Sequence, residues 1–470
     1  EGFQHQVQDI QKDKFAVSVL FTGLKIAYKD KKKVDIPAVG RAEQIEYQLG
    51  SKILELTLDK KPVIAVDVPP APPNQMMQQM GRQPQPSGYE WLQHGWGEDA
   101  AKFEFKTVNL SENNSIPADA ALFVLVRPKE LDERQRYEVV KYLAGGGKVL
   151  LLASPFKVAH EFGWRASKTP TGLEDYLATV GITFNPDFVC DHSNLRMPKS
   201  LNVFTGEIEY SHNPFFVRIL GENIDQESVL TRFMPGLLMP SPAEIKVDQA
   251  LVQKNGLTER LLAKTSRQSW TIPFNEAVNP ENEMKYDADT KTFTGAKTVF
   301  VMLEGQFPFP YEGKPAPEWK PESSDDKDKD KAKEKDKSKE QKPPEIAKVE
   351  LKPGALVLCS SPEAFHSMYL QDRNIGQQMQ GNASLVVNIA ETFSLGDDLV
   401  KLRSRHYETR SIDILEGKDS KRNWIKFFLI AGMPLVVFAF AVGRAMWRSY
   451  TQNRYERGFA ETTGPSSFTT

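Results

Sequence analysis

The segment from residue 121 to residue 154 constrains the fold more than any other part of the chain. It consists of an apolar strand (121–126), a helix, and a second apolar strand (148–154). Asp132 and Gln135 have the spacing of a capping box at the start of the helix, and a run of glycines ends it. A strand, helix and strand in this order predict two parallel strands joined by a right-handed connection. We therefore expect a βαβ unit of an α/β protein.

Other segments repeat this alternation. An apolar stripe at helical spacing predicts a helix that packs inward through Ala42, Ile45, Leu49, Ile53 and Leu56. A buried strand follows at 63–68, and a further helix and strand are predicted within 171–191. The apolar segments 297–305 and 354–360 predict strands that complete the same sheet. The expected fold class is α/β, with a mostly parallel sheet flanked by helices.

The C-terminal region contains the longest apolar run. Residues 427–443 carry no charge, and Trp424 and Trp447 bracket them as an aromatic belt would. A helix from one tryptophan to the other spans about 34 Å, close to a bilayer with its interfaces. The pattern predicts a transmembrane helix at 424–447, kinked at Pro434. Basic residues nearly balance across it, so the expectation that the large domain lies outside the cytoplasm depends on the short basic tail.

Composition divides the chain into segments. Residues 68–88 are rich in Pro, Gln and Met and predict an exposed loop. Between 322 and 342 acidic and basic residues alternate, which predicts a solvated linker. The expected organisation is an N-terminal β-unit (1–40), an α/β domain (41–312), a charged insertion (313–347), the rest of the α/β domain (348–412), the membrane helix (424–447) and a basic tail (448–470). Because the chain begins at Glu1 without a leader, we expect a longer precursor.

Several classes of function are disfavoured. The net charge of −2 provides no field that would attract nucleic acid. Gly145, Gly146 and Gly147 precede Lys148, but Val149 replaces the Ser or Thr of a P-loop and a strand follows where a helix should begin. The G-x-S-x-G motif of serine hydrolases is absent. Neither ATP hydrolysis by a P-loop nor serine-hydrolase chemistry is expected.

Two segments that contain a cysteine are candidates for a reactive or metal-binding site. Cys359 ends a predicted strand, and His366 follows, so an amidotransferase-like nucleophile is one alternative; a small core residue is the favoured interpretation. Cys190, Asp191 and His192 are consecutive potential metal ligands, yet adjacent residues cannot all face one ion. We predict no catalytic, cofactor-binding or metal-ligating residue, and no cofactor.

Binding is expected at loops of the α/β domain. In open α/β sheets ligands bind at the carboxyl ends of the strands, which here means the segments that follow Val68, Val126, Ser154 and Cys359. A polysaccharide-binding module is another alternative, with stacking candidates at Trp91, Trp96 and Trp164, although tryptophans are more often core or interface residues.

Several pieces, in order, resemble the auxiliary component of gliding-motility-type ABC transporters, the GldG-like family. The resemblance runs from about Gly23 to the end of the chain. The pieces that carry it are GLKIAYKDKKKVDIP, AEQIEYQLGSKILELTLDKKPVIAV, LFVLVRPKELDERQRYEVVKYLAGGGKVLLLASPF, TERLLAKTSRQSW, TVFVMLEGQFP and GNASLVVNIAETFSLGDDLVKLRSR, with the closing apolar helix. The charged insertion and the 68–88 loop depart from the family pattern.

The resemblance implies a flavodoxin- or amidotransferase-like α/β domain on the periplasmic side of the inner (cytoplasmic) membrane. It implies a permease and an ATP-binding subunit as partners, besides membrane lipid and an exported substrate or polysaccharide. It implies no catalytic residues. The expected function is a non-enzymatic accessory subunit of an ABC transporter complex.

Overall fold

The computed structural model describes residues 4–11, 14–21, 23–29, 33–36, 45–70, 87–95, 97–159, 164–201, 208–232, 234–277, 283, 285–287, 289–319, 346–371, 375–404 and 433–462. The chain divides into two compact units, Glu1–Glu408 and Thr409–Thr470. Residues 71–86 of the predicted Pro/Gln/Met loop and the whole alternating-charge segment 322–342 lie outside the described residues.

The strands are β1 (Gln4–Gln11), β2 (Lys14–Phe21), β3 (Leu24–Ile26), β4 (Val34–Ile36), β5 (Val63–Asp67), β6 (Glu104–Thr107), β7 (Ala120–Val126), β8 (Lys148–Leu152), β9 (Phe156–Ala159), β10 (Arg165–Lys168), β11 (Ile182–Asp191), β12 (Asn194–Leu201), β13 (Ile208–Leu220), β14 (Gly236–Pro240), β15 (Ala243–Val247), β16 (Thr258–Lys264), β17 (Ser269–Ile272), β18 (Thr298–Gln306) and β19 (Pro353–Cys359).

The α-helices are α1 (Ile45–Thr57), α2 (Trp91–His94), α3 (Glu133–Ala144), α4 (Glu174–Thr179), α5 (Gln249–Lys254), α6 (Ser367–Gln371), α7 (Gly376–Leu395), α8 (Asp398–Ser404) and α9 (Met433–Thr462).

A seven-stranded, mostly parallel sheet forms the centre of the first unit. Its strand order is β16-β18-β19-β8-β7-β5-β6. The strands from β19 to β6 are parallel, whereas β16 and β18 are antiparallel. The parallel strands, counted along the chain, lie in the order 2-1-3-4-5 of a doubly wound sheet. The fold is therefore mixed α/β, and the strands predicted at 297–305 and 354–360 are confirmed as β18 and β19 of this sheet.

The predicted βαβ unit is confirmed as β7, α3 and β8. Asp132 accepts a bond from the Gln135 backbone N–H, and the Gln135 side chain accepts one from the Asp132 N–H, which completes the capping box. Gly147 enters β8 where a Cβ would lie 2.5 Å from the Tyr142 carbonyl oxygen, so only glycine fits this close turn. Local signals thus specify both ends of the helix.

Apolar side chains cover both faces of the sheet. One face packs Ile64, Val124 and Leu150 against α7 and the β13–β14 pair. The other face packs Phe123, Leu125 and their neighbours against α3 and α4. Burial on both faces explains why β7 and β8 are continuously apolar instead of alternating.

A second group of strands extends this unit. β11 pairs with β15 and β17, and β13 pairs with β12 and β14, all antiparallel. They enclose an aromatic core that includes Phe156, Phe188 and Phe215. The strand predicted after Gly181 is β11, but the sequence did not predict this second antiparallel layer.

The apolar stripe of α1 corrects one expectation. Leu56 is buried as predicted, but Leu49 and Ile53 are 38% and 45% exposed, while Ser51 is buried. Ala42 lies outside the described residues. The helix forms where the spacing predicts it, yet most of the stripe does not face the core, because the inward face of α1 makes polar contacts instead.

The predicted transmembrane helix at 424–447 is the main correction to the fold class. Among the residues that the structure describes, none of the helices combines the length and the apolar character that crossing a bilayer needs. Residues 424–432 lie outside the described residues, and α9 begins at Met433.

The charged insertion has a closed base. The Gly313 N–H donates to the Ala347 carbonyl (3.0 Å), and the Ala347 N–H donates to the Lys314 carbonyl (2.9 Å). Pro315 and Ile346 form an antiparallel bridge beside them. The two ends of the insertion therefore meet. The domain boundaries expected from the sequence stay a prediction.

Candidate functional site

Four of the expected loops meet at one edge of the central sheet. β5, β7, β8 and β19 are parallel and end at Asp67, Val126, Leu152 and Cys359. We call this the carboxyl edge. From β5 the chain continues to β6 on one side, and from β7 it continues to β8 on the other side, so the switch point of the sheet lies between β5 and β7. This is where doubly wound proteins bind ligands.

A buried ion pair occupies the carboxyl edge. Arg127 directly follows β7 and lies 2.8 Å (Nη1 to Oε1) from Glu363, which lies in the short turn after β19; each side chain is less than a tenth exposed. We call Arg127 and Glu363 the edge pair. Arg127 has a left-handed backbone (φ 48°), and its N–H donates to the Leu152 carbonyl at the end of β8. One residue thus links the ends of three strands.

Burial governs the ionisation of the edge pair. Desolvation raises the pKa of Glu363, and the neighbouring Arg127 charge offsets part of that rise. Desolvation lowers the pKa of Arg127, but Glu363 and the nearby Tyr89 and Tyr369 outweigh it, so its pKa lies above the usual value. Arg127 therefore stays charged, and Glu363 depends on Arg127 for its own charge.

The residues that return from the 68–88 loop cover the edge pair. Tyr89 is buried, and its ring makes an edge-to-face contact with His366 at 5.1 Å. Gly88 (φ 89°) lies so close that a Cβ would be 2.1 Å from His366 Nε2. The Ser367 N–H donates to the Gly88 carbonyl (2.8 Å), and Trp91 Nε1 donates to the Phe365 carbonyl (2.7 Å). The chain's own groups therefore fill this part of the carboxyl edge.

Asp67 lies at the switch point itself. It ends β5, and its carboxylate accepts a bond from the Leu110 N–H (3.1 Å). Desolvation raises its pKa to about 6, against a smaller lowering by that bond. Asp67 is thus a titratable group in the position where related topologies place ligands, and the sequence did not single it out.

Cys359 does not have the environment of a nucleophile. Its thiol is fully buried, and burial raises its pKa to about 12. The sulfur lies 3.9 Å from Met239 Sδ. The ring of His366 packs against Gly88 and Tyr89, and its Nδ1 accepts from the Met368 N–H (3.2 Å). A raised thiol pKa opposes the thiolate that such chemistry requires.

The cysteine, aspartate and histidine at 190–192 serve the antiparallel layer. Cys190 is buried in its aromatic core. The Asp191 carboxylate accepts bonds from the N–H and hydroxyl of Ser266 (2.6 and 2.5 Å). His192 Nδ1 lies 2.7 Å from the Tyr286 hydroxyl. Within the described ranges, no group of three or more His, Cys, Asp or Glu could hold a metal ion.

The tryptophans considered for stacking are packed within the protein. Trp91 lies against the core on the α7 face, with its N–H bonded as above. Trp164 packs on Phe215 and Phe216, with ring centroids 5.0 and 6.2 Å away. Trp96 lies outside the described residues. Neither described ring is presented to a sugar.

The sequence carries a signal for the edge pair. Arg127 is the first charged residue after one apolar strand, and Glu363 is the first charged residue after another. Because carboxyl ends of parallel strands share an edge, opposite charges in these positions are candidates for pairing. What the sequence could not supply was the neighbour relation of β7, β8 and β19.

Comparisons with known proteins identify a family. The family described as "ABC-type uncharacterized transport system", an auxiliary component by its name, matches residues 78–389 of the 470-residue chain. No curated protein matches the chain. The crystal structure of a ThuA-like protein from Bacteroides uniformis is similar at 11% identity, over 52% of this chain and 79% of that chain, with a TM-score of 0.27. That score is too low to establish a shared fold.

Proposed function

This chain belongs to the ABC-type transport auxiliary family, and from that premise we propose that it is a non-enzymatic accessory subunit whose α/β unit is a docking scaffold. The partners proposed are the permease and the ATP-binding subunit of the transport system. The α/β unit works on the extracytoplasmic side. Within this family, the chain is proposed to belong with the GldG-like auxiliary components of gliding-motility-type transporters.

The state of the carboxyl edge is the observation that supports this proposal. A catalytic α/β protein keeps an open crevice with a reactive group at this edge. Here Arg127 and Glu363 form an ion pair, Tyr89 and His366 pack on each other, and Cys359 is buried with a raised pKa. Such an edge is a rigid platform for loops rather than a reaction centre.

Docking is proposed to occur at the loop that leaves and returns to this platform. Its two ends are anchored: Asp67 ends β5, and Gly88 is bonded to the turn after β19. Binding residues are commonly carried by loops that a rigid scaffold positions. The Pro, Gln and Met composition of 68–88 suits an adaptable contact surface.

The test is co-purification from detergent extracts of cells that express the whole transport system. The full chain should bring down the permease and the ATP-binding protein. Replacing 69–87 with a short Gly/Ser link should abolish this while the melting temperature is retained, because the Pro- and Gln-rich composition of the segment is typical of an exposed loop. The matched control removes 322–342, a loop change remote in sequence, and should retain both partners.

The outcomes separate the parts of the proposal. Recovery of the full chain alone under gentle extraction would contradict the accessory role. Recovery of both partners by the Gly/Ser variant would keep the role but exclude the 68–88 loop as the docking surface. Loss of function in a folded Cys359→Ala variant would favour the enzyme instead.

A further inference from the structure

A second buried charge cluster lies away from the carboxyl edge. Glu391, in α7, is fully buried, and its Oε1 accepts bonds from Tyr47 (2.8 Å), Arg403 (2.8 Å) and Lys102. We call these four residues the Glu391 cluster. Lys102 is only 1% exposed. One carboxylate oxygen thus collects three donors inside the protein.

The three donors come from three separate parts of the chain. Tyr47 is in the first turns of α1, Lys102 ends the short 3-10 helix Gly97–Lys102, and Arg403 is at the end of α8. Arg403 also donates to Asn388 on α7 (2.8 Å), and its guanidinium lies 4.3 Å from the centre of the Tyr47 ring. The cluster therefore joins α1 and α8 to α7.

Few apolar side chains of α1 are buried: Leu56 is buried, whereas Leu49 and Ile53 are turned outward. The inward side of the helix also presents Tyr47, Gly50 and Ser51. A Cβ on Gly50 would lie 3.2 Å from Leu402 Cδ1, so α1 and α8 pack closely on each other. These two helices form a pair, which we call the helical cap, and the Glu391 cluster fastens that pair to α7.

The carboxylate is not fully satisfied. Glu391 Oε2 is buried and has no hydrogen-bond partner among the described residues. An unpaired polar group is costly in the low-dielectric interior of a protein. Loss of one further partner therefore raises the cost of keeping Glu391 buried and favours opening of the cluster.

We propose that the Glu391 cluster is a polar latch that holds the helical cap on α7, and that the cap opens as a unit while the seven-stranded sheet stays folded. Regions with few buried apolar contacts open separately from the core. Because Arg403 is carried by α8, a contact that displaces α8 acts directly on the latch. This inference does not depend on the proposed function.

Hydrogen exchange of the full chain tests the latch. In Glu391→Gln and Arg403→Gln, amides of α1 and α8 should exchange faster by roughly a hundredfold to a few thousandfold, the range expected when a buried ion pair loses one partner. Amides of β7 and β8 should exchange at the unchanged rate. The matched control is Lys401→Gln, which removes an exposed charge from the same helix and should leave α1 protection as it is.

Two results would overturn the proposal. Unchanged protection of α1 and α8 in both variants would show that packing alone holds the cap. Equal loss of protection in α1 and β7 would show that the cluster belongs to one cooperative core. If neither variant folds, Tyr47→Phe is the milder change, because it keeps the Glu391 charge and removes only the hydroxyl that donates to Glu391 and accepts from Lys102 and Arg403. The same comparison of α1 with β7 then decides between these outcomes.

Discussion

Replacing Arg127 with methionine should destabilise the first unit strongly, because it leaves Glu363 buried without its cation. At 2.8 Å and an effective dielectric constant of about 20, the attraction within the edge pair is roughly 6 kcal/mol. Desolvation of two charges offsets most of that gain, so the intact pair contributes little net stability. Removing one partner keeps the desolvation cost without the attraction, which costs about 3 to 5 kcal/mol.

The double variant distinguishes charge from packing. In Arg127→Met with Glu363→Leu, neither charge remains, so unfolding should require about as much free energy as in the wild type, within about 1 kcal/mol. The single changes Arg127→Met and Glu363→Leu would each lower the free energy of unfolding by several kcal/mol, whereas the double variant would lower it by almost nothing. This non-additivity is the signature of a buried ion pair.

The loss in Arg127→Met should also depend on pH. Burial raises the folded-state pKa of Glu363, and Arg127 is what lowers it. Without Arg127 that pKa rises further. A buried carboxyl group with a raised folded-state pKa destabilises the fold little while it is protonated. The free energy of unfolding falls as the pH rises from the unfolded-state pKa through the folded-state pKa. The destabilisation should therefore be larger at pH 8 than at pH 5.

Urea unfolding followed by tryptophan fluorescence provides the assay. Trp91 donates to the Phe365 carbonyl beside Glu363, so its emission reports on this part of the fold. A loss below about 1 kcal/mol in Arg127→Met would refute the reasoning, since a buried unpaired charge costs more. A double variant as unstable as the single one would show that side-chain packing, not charge, is what Arg127 supplies.

Three further predictions address other sites. Cys359→Ala should leave partner co-purification unchanged, and a thiol reagent should label Cys359 slowly in the native protein, because the raised pKa suppresses the thiolate. Deleting 322–342 should leave the melting temperature unchanged, because Gly313 and Ala347 close the base and doubling a loop's length costs only about 0.6 kcal/mol. Asp67→Asn should stabilise the protein at pH 8 by up to about 3 kcal/mol and have no effect at pH 3, because its pKa rises to about 6 on folding.

Each of these has a contradicting result. Rapid labelling of the native thiol would restore the nucleophile hypothesis. A large fall in melting temperature on deletion would show that the insertion packs on the domain. For Asp67, a variant less stable at pH 8 than the wild type would mean that the bond to the Leu110 N–H is worth more than the desolvation it offsets.

Local pattern determined the elements of this protein. The βαβ unit follows from two apolar runs, a capping box and a glycine turn, all within one stretch of chain. The strands β18 and β19 follow from apolar runs in the same way. The apolar pattern near the C-terminus predicted a membrane helix, and this prediction was wrong: among the described residues, none of the helices is long and apolar enough to cross a bilayer.

Tertiary structure decided which faces and which distant residues meet. The apolar stripe predicted that α1 is a helix, but it did not predict which side of the helix faces inward. That side is set by Tyr47, which donates a hydrogen bond to Glu391, 344 positions away. The edge pair joins residues 236 positions apart, and only the strand order brings them together. Periodicity and capping act over a few residues, so the sequence shows them directly. A buried charge needs a partner, since leaving it unpaired costs several kcal/mol. That partner can come from any part of the chain, and it reaches the charge only when the layers of the fold assemble.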